Sequence, residues 1–353
     1  MRKYFIDNLR WISILLLFPY HTSMIYNNFG ENFYVKGEGV SLLSNFIRIC
    51  SPCFMPLLFA IAGISSYYAL NRRTPKQYIE ERVWKLFIPL ISGILLLVPM
   101  QTFYAEKFHN GYNGGYFNKY ILFFIKETDL TGYTGGFTPA QLWFILYLFI
   151  ISLIALPIAI KYNNGRKVPV YKLSLLKILL MFLIIWLMSF ILNIGGKSIG
   201  EYFALFIIGY IMLSQDIIQE KLDENRWYLF IAFILITILN LLFENLWYHS
   251  FKIAYSIFRR FLSWIGILAI MGMGKHYLDF HNKITNYFIK AAFPIYVFHQ
   301  SWLILVAYYT LNTISFIPLQ VIVIMVGSFI LTIITYEVFR RISFTRLLFG
   351  IKK

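Results

Sequence analysis

This chain is short of charge. Asp, Glu, Lys and Arg make up 14% of its 353 residues, with only 16 acidic side chains against 32 basic ones. A soluble domain carries about a quarter charged residues, so the chain lacks the polar atoms to cover a water-facing globule. Cysteine is almost absent: Cys50 and Cys53 are the only two, too few for a disulfide framework. No low-complexity linker or separate soluble segment interrupts the sequence. No internal repeat argues for an inverted-repeat transporter.

What is present is apolar. Hydrophobic residues make up 59% and aromatic residues 20% of the chain, in long runs separated by short charged loops, as in transmembrane helices. The net charge of +16 does not indicate nucleic acid, because the basic residues fall in loops between runs rather than on one face. Residues 1–20 resemble a signal peptide superficially, with Arg2 and Lys3 ahead of an apolar stretch. No small-residue cleavage site follows, so the segment is expected to stay as the first span.

About ten spans of about 20 residues fit a bilayer core of about 30 Å: 9–28, 49–70, 86–106, 141–160, 173–193, 199–214, 227–247, 257–274, 287–309 and 315–338. With the N-terminus inside, the cytoplasmic segments hold 22 of the 32 Lys and Arg, among them Arg2, Arg166, Lys167, Lys352 and Lys353. The expected fold is an all-α, polytopic transmembrane bundle. It forms a single membrane domain over residues 1–353 in the cytoplasmic membrane, with both termini cytoplasmic. The outside loop 107–140 alternates glycine with Tyr112, Tyr116, Tyr120 and Tyr133. Such rings suit either a sugar-binding lid or an interfacial aromatic belt.

Ionisable residues at bilayer depth are expensive unless paired or hydrated, and so they mark function. Arg10 and His21 are 11 residues apart, three helical turns plus about 20°, which puts both on one face about 16 Å apart. Asp7 lies one turn before Arg10 and can pair with it. Pro19 is expected to loosen the helix beside His21. In the ninth span His299 reaches about 18 Å from the inner end, comparable in depth to His21, with Tyr296 one turn below. Two histidines at matching depth suggest one polar cavity. In the loop after span two, Thr74-Pro-Lys-Gln77 has a capping-box pattern. The helix it starts carries Arg82 and Lys85, and with Arg72, Arg73 and Lys76 they form a cationic patch suited to a phosphate-rich nucleotide.

Other signals are weaker. Cys50-Ser-Pro-Cys53 has redox-motif spacing but no supporting ligands, and reads as packing. His276, Asp279 and His281 cluster without the further ligands a metal site needs. Glu244 and His249, near the outer end of span seven, are placed to face an acceptor.

Taken together these elements resemble the acyltransferase-3 family of membrane enzymes, in its glucan biosynthesis protein C branch. The resemblance covers most of the chain. It rests on the Asp7/Arg10/His21 opening, Met55-Pro-Leu-Leu-Phe59 with Gly63, the basic loop with Arg82, Gln141-Leu-Trp143-Phe144 and the Tyr296/His299 pair. It continues through Tyr336-Glu337 and Arg340-Arg341 to Leu347-Leu-Phe-Gly350. The family's inner-loop Arg-x-x-Arg reads Arg82-Val-Trp-Lys85 here, which keeps charge but loses one guanidinium fork.

The resemblance implies transfer of an acyl group, acetyl or succinyl, from cytoplasmic acyl-CoA to a hydroxyl of an extracytoplasmic carbohydrate. Acyl-CoA is then a donor substrate and no cofactor is permanently bound. Arg10, Arg72, Arg73, Arg82 and Lys85 would hold the CoA phosphates. His21 would act as general base or acyl carrier, with His299 or Tyr296 orienting it or stabilising the oxyanion. Asp7, Trp143 and Glu244 are the candidate substrate contacts. The rival reading is a transporter or flippase for a glycan or lipid-linked glycan.

Overall fold

The computed structural model describes residues 3–30, 32–126, 128, 131–133, 135–165 and 169–351, the side chains of 245–249 excepted. Arg2, Arg166, Lys167, Lys352, Lys353 and the side chain of His249 lie outside the described residues. Among the described residues the fold is all-α apart from a two-residue antiparallel ladder, Asn193–Ile194 against Lys197–Ser198.

Each of the ten stretches expected to span contains helix, and six to eight of them qualify as candidate spans. Six helices among the described residues are long and apolar enough to cross a bilayer: Ser41–Leu70, Pro75–Asn110, Arg226–Glu244, Lys252–Tyr277, Lys283–Thr313 and Ile317–Phe339. Two bent pairs follow, Ala140–Ile154 with Leu156–Asn164 (43°) and Ile199–Leu213 with Asp216–Glu224 (94°). The expected first and fifth spans differ from single long helices. The first is divided at Leu16 into Tyr4–Leu15 and Leu17–Ile25, and the fifth contains the shorter apolar helix Leu175–Met188. Proline explains the first break: Pro19 has no N–H to donate to the Leu15 carbonyl, so the ladder stops there. Pro157, at the start of Leu156–Asn164, acts in the same way on the fourth span.

The chain divides into two compact units, each built from three segments. The first comprises Met1–Ser13, Arg48–Glu81 and Tyr147–Asn286. Within it Arg226–Ser250 packs along Lys252–Tyr277, and Phe54–Leu70 packs against Ile199–Ile208 and the π-helical turn Gly209–Leu213. The second contact is backbone on backbone. A Cβ on Gly63 would overlap the Phe206 carbonyl, and one on Gly209 would overlap the Ala60 carbonyl. Small residues permit this approach, which apolar driving force alone does not supply inside lipid. The N-terminal helix is tied down by Asn8, whose Nδ2 donates to the carbonyls of Leu278 (2.7 Å) and Phe280 (2.9 Å). The Phe5 N–H donates to Asp279 (3.2 Å), while His276 Nδ1 bonds Asp223 (3.0 Å). Cys50 and Cys53 are free thiols, and Cys53 is buried.

The second unit comprises Ile14–Ile47, Arg82–Leu146 and Tyr287–Lys353. Leu17–Ile25 packs on Ile317–Phe339, Val98–Asn110 on Tyr116–Ile125, and Ser343–Leu348 on Ile88–Leu96. Its core joins Ile25, Tyr26, Val35, Ala105, Leu303, Ile304 and Ile324, with Tyr26 donating to Gln320 Oε1 at 3.0 Å. Lys119 is also fully buried here, 3.1 Å from Glu106 Oε2; Lys126 sits 2.9 Å from the same oxygen. Burial pushes the Lys119 ammonium below its ordinary pKa, while the bond to Glu106 works against that shift.

Candidate functional site

The proposed site residues divide between the two units. In the first, Arg10 Nη1 meets Asp7 Oδ1 at 3.1 Å, the i,i+3 pairing their spacing suggests, and Arg10 Nη2 donates to Ser65 Oγ at 2.5 Å. Ser65 was invisible to sequence reasoning because its partner lies 55 residues away. Arg73 pairs with Glu81 at 2.6 Å, and Arg72 is exposed in the turn after Phe54–Leu70. The capping box forms: the Thr74 N–H donates to Gln77 Oε1 (3.0 Å) and the Gln77 N–H to Thr74 Oγ1 (3.3 Å). Glu244 is held by Arg48 at 3.3 Å and accepts from the Tyr255 hydroxyl at 2.8 Å. Its carboxylate therefore works as a cross-link between helices.

In the second unit, Arg82 ends the helix Pro75–Arg82 and Lys85 lies in the π-helical turn Val83–Phe87. Lys85 lines a cavity of about 470 Å³ with Trp84, Ser343, Arg346, Leu347, Gly350 and Ile351. Arg346 gives this cavity a second cation that the sequence reading did not connect to Lys85. Trp143 is half-buried at the start of the helix Trp143–Ile154.

His21 and His299 lie side by side in the second unit. Their ring centroids are 5.3 Å apart and tilted by 30°. His299 is fully buried, and its Nδ1 lies 2.7 Å from the Tyr296 carbonyl oxygen. A carbonyl only accepts, so Nδ1 carries the proton and the neutral ring presents Nε2 as a bare lone pair. That Nε2 is buried and has no hydrogen-bond partner among the described residues, and the same holds for His21 Nδ1. Buried polar atoms are nearly always satisfied, so two orphaned nitrogens on adjacent rings mark a place where a proton or a polar reactant belongs.

The turn that carries His299 is held from outside its own helix. The Tyr296 hydroxyl donates to the Gln141 carbonyl, and Gln141 Nε2 donates to the Val297 carbonyl at 3.1 Å. Gln101 Nε2 donates to Gln141 Oε1 (2.9 Å) and Ser301 Oγ (2.8 Å), and Gln300 Nε2 donates to Gln101 Oε1 (3.1 Å). All these groups are buried. Such a network is well specified only when every member is satisfied. Gln141 follows Ala140, whose φ of 46° is left-handed, a conformation that costs a non-glycine residue of order 1–3 kcal/mol. The expected role of Tyr296 shifts accordingly: its proton is engaged by Gln141, so it anchors the His299 turn instead of facing a reactant. Gln101, Gln300 and Ser301 were missed because their pairing is tertiary; the signal available was several amides inside apolar runs.

The family model of the acyltransferase domain matches residues 3–337. The chain belongs to the acyltransferase-3 family. It is thus a multi-pass membrane acyltransferase. Among curated proteins it is similar to glucans biosynthesis protein C of Salmonella schwarzengrund, with 24% identity over 99% of this chain and 94% of the relative. The proteins of that name from Salmonella heidelberg and Salmonella typhi are each 23% identical over the same shares. No solved structure matches the chain. The acyltransferase-3 match takes in both histidines, Arg10 and the Arg82/Lys85 segment.

Proposed function

We propose that this acyltransferase moves an acyl group, acetyl or succinyl, from cytoplasmic acyl-CoA to a hydroxyl of an extracytoplasmic carbohydrate across the cytoplasmic membrane. The observation that carries the reading is the His21–His299 pair with its two unpartnered nitrogens. The name of the Salmonella relatives favours a glucan as acceptor.

In this reading the acceptor oxygen attacks the thioester carbonyl, and His21 takes the hydroxyl proton as the new C–O bond forms. His299 cannot serve as a donor through Nε2. Its lone pair steadies the imidazolium that develops on His21, accepting from Nδ1–H as the rings close. The C–S bond then breaks, and the CoA thiolate takes the proton from His21. Arg10, Arg72, Arg73, Arg82 and Lys85 hold the phosphates of CoA, which are bound mainly through charge. Trp143 remains the candidate acceptor contact. Asp7 fixes Arg10, and Glu244 serves packing.

The test is release of CoA thiol from acetyl- and succinyl-CoA by purified protein in detergent, wild type against His21→Gln. Release that depends on His21 is expected from at least one donor. No release from either donor with mixed cell-envelope glycans present would return the carrier reading.

A further inference from the structure

We propose that Phe33 decides between transfer and hydrolysis by keeping water off His21; this rests on the acyl-CoA reading above. Phe33 lies in the segment after Leu17–Ile25, yet it is 3% exposed. Its ring stacks on His21 with centroids 5.9 Å apart and planes 15° apart. The backbone beneath it is pinned, since His109 Nε2 donates to the Phe33 carbonyl at 2.7 Å. Its remaining sides are closed by Tyr34, edge-on at 5.4 Å, and by Tyr133, at 6.0 Å and 57°. Tyr34 in turn donates to the Thr131 carbonyl at 3.2 Å. So the glycine- and tyrosine-rich loop holds a phenyl ring parallel to the proposed base and offset beside it, covering part of an imidazole that is otherwise only half-buried.

A thioester beside an imidazole is exposed to water as well as to sugar. In hydrolysis the water oxygen attacks the carbonyl and its proton passes to His21. The C–S bond breaks, the thiolate takes that proton, and the products are CoA thiol and a carboxylic acid that ionises. Chemically this differs from transfer only in the attacking oxygen. Selectivity must therefore come from which oxygen can sit beside His21. A phenyl face offers no hydrogen bond, so a water there lacks the two to four polar partners it needs. A hexose brings its own apolar C–H face to pack on the half-buried Tyr133, while presenting a hydroxyl at its edge.

The experiment measures acceptor-free CoA release from acetyl- and succinyl-CoA by the full chain in detergent. It compares wild type, the graded series Phe33→Leu, Phe33→Val and Phe33→Ala, and each of these combined with His21→Gln. Thermal midpoints are recorded for all, and release is repeated with a mixture of gluco-oligosaccharides. Excluding water suppresses side reactions, so acceptor-free release should climb as the side chain shrinks, by about tenfold in Phe33→Ala. The rise should disappear in the His21→Gln combinations, and the smaller substitutions report even where Phe33→Ala folds poorly. Release that stays at the wild-type level across folded Phe33 variants overturns the proposal and leaves the acyl-CoA reading standing. Release that rises but survives His21→Gln overturns the assignment of His21 on which both rest.

Discussion

Replacing His299 by its two amide near-isosteres separates what its two nitrogens do. Asn places its terminal nitrogen near Nδ1, so His299→Asn keeps a donor for the Tyr296 carbonyl, now 2.7 Å from Nδ1, and deletes Nε2. Gln reaches further, so His299→Gln can offer an acceptor near Nε2 but gives up that donation. The Nδ1 bond is a neutral intrahelical one, and its loss has a net cost of about 1 kcal/mol. Removing a group that assists proton transfer lowers the rate by about 10²–10⁴-fold. His299→Asn should therefore unfold within about 1 °C of wild type, close to the scatter expected for so small a change, while thiol release falls by about 10²-fold or more. His299→Gln should lose about 2–4 °C yet keep more activity than the Asn variant. The assay is CoA-thiol release at saturating donor, alongside a thermal melt of each protein in the same detergent. An Asn variant as active as wild type would falsify the reasoning, because Nε2 would then have no part in the reaction. A Gln variant both more stable and less active than Asn would refute the division of labour between the nitrogens.

Three other outcomes are expected. Arg10→Ala should raise the half-saturating acyl-CoA concentration by about tenfold, as one charge-assisted contact of about 1.5 kcal/mol is lost; an unchanged value in a donor titration counts against a phosphate role. Gly63→Ala drives a methyl into the Phe206 carbonyl and should destabilise by about 1–3 kcal/mol, read as a lowered melting midpoint; a midpoint equal to wild type would mean the helices part freely. Glu106→Gln leaves the buried Lys119 without its carboxylate and should destabilise by about 3 kcal/mol. The double variant Glu106→Gln with Lys119→Met should recover most of the loss in the same melt.

How much of this was legible in the sequence follows from which interactions are local. Apolar runs at bilayer length marked out the helical stretches, the Thr74/Gln77 spacing closed into a capping box, and Asp7 and Arg10 met across one turn. Counting residues from the inner end placed His21 and His299 at one depth, and depth along a span is a one-dimensional quantity. What lay hidden was lateral. The Ser65 partner of Arg10, the amide network around Gln141 and the Phe33 ring on His21 all depend on which helix faces which. Glu244 shows the opposite hazard. An isolated carboxylate near a span end looked available, and packing gave it Arg48 and Tyr255. The break at Leu16 sat one turn ahead of the proline that causes it, because a missing N–H is felt at the carbonyl it would have served.

The fixed proton on His299 Nδ1 has a bioenergetic consequence. Imidazoles pass protons by taking one on one nitrogen and releasing another from the second, and a pair of them inside a membrane is the material of a proton wire. Here the second nitrogen of His299 points at the backbone oxygen of Tyr296, which has no proton to give and no lone-pair partner onward. While that bond holds, His299 cannot hand a proton from one nitrogen to the other, so any proton handled at the pair is exchanged through His21.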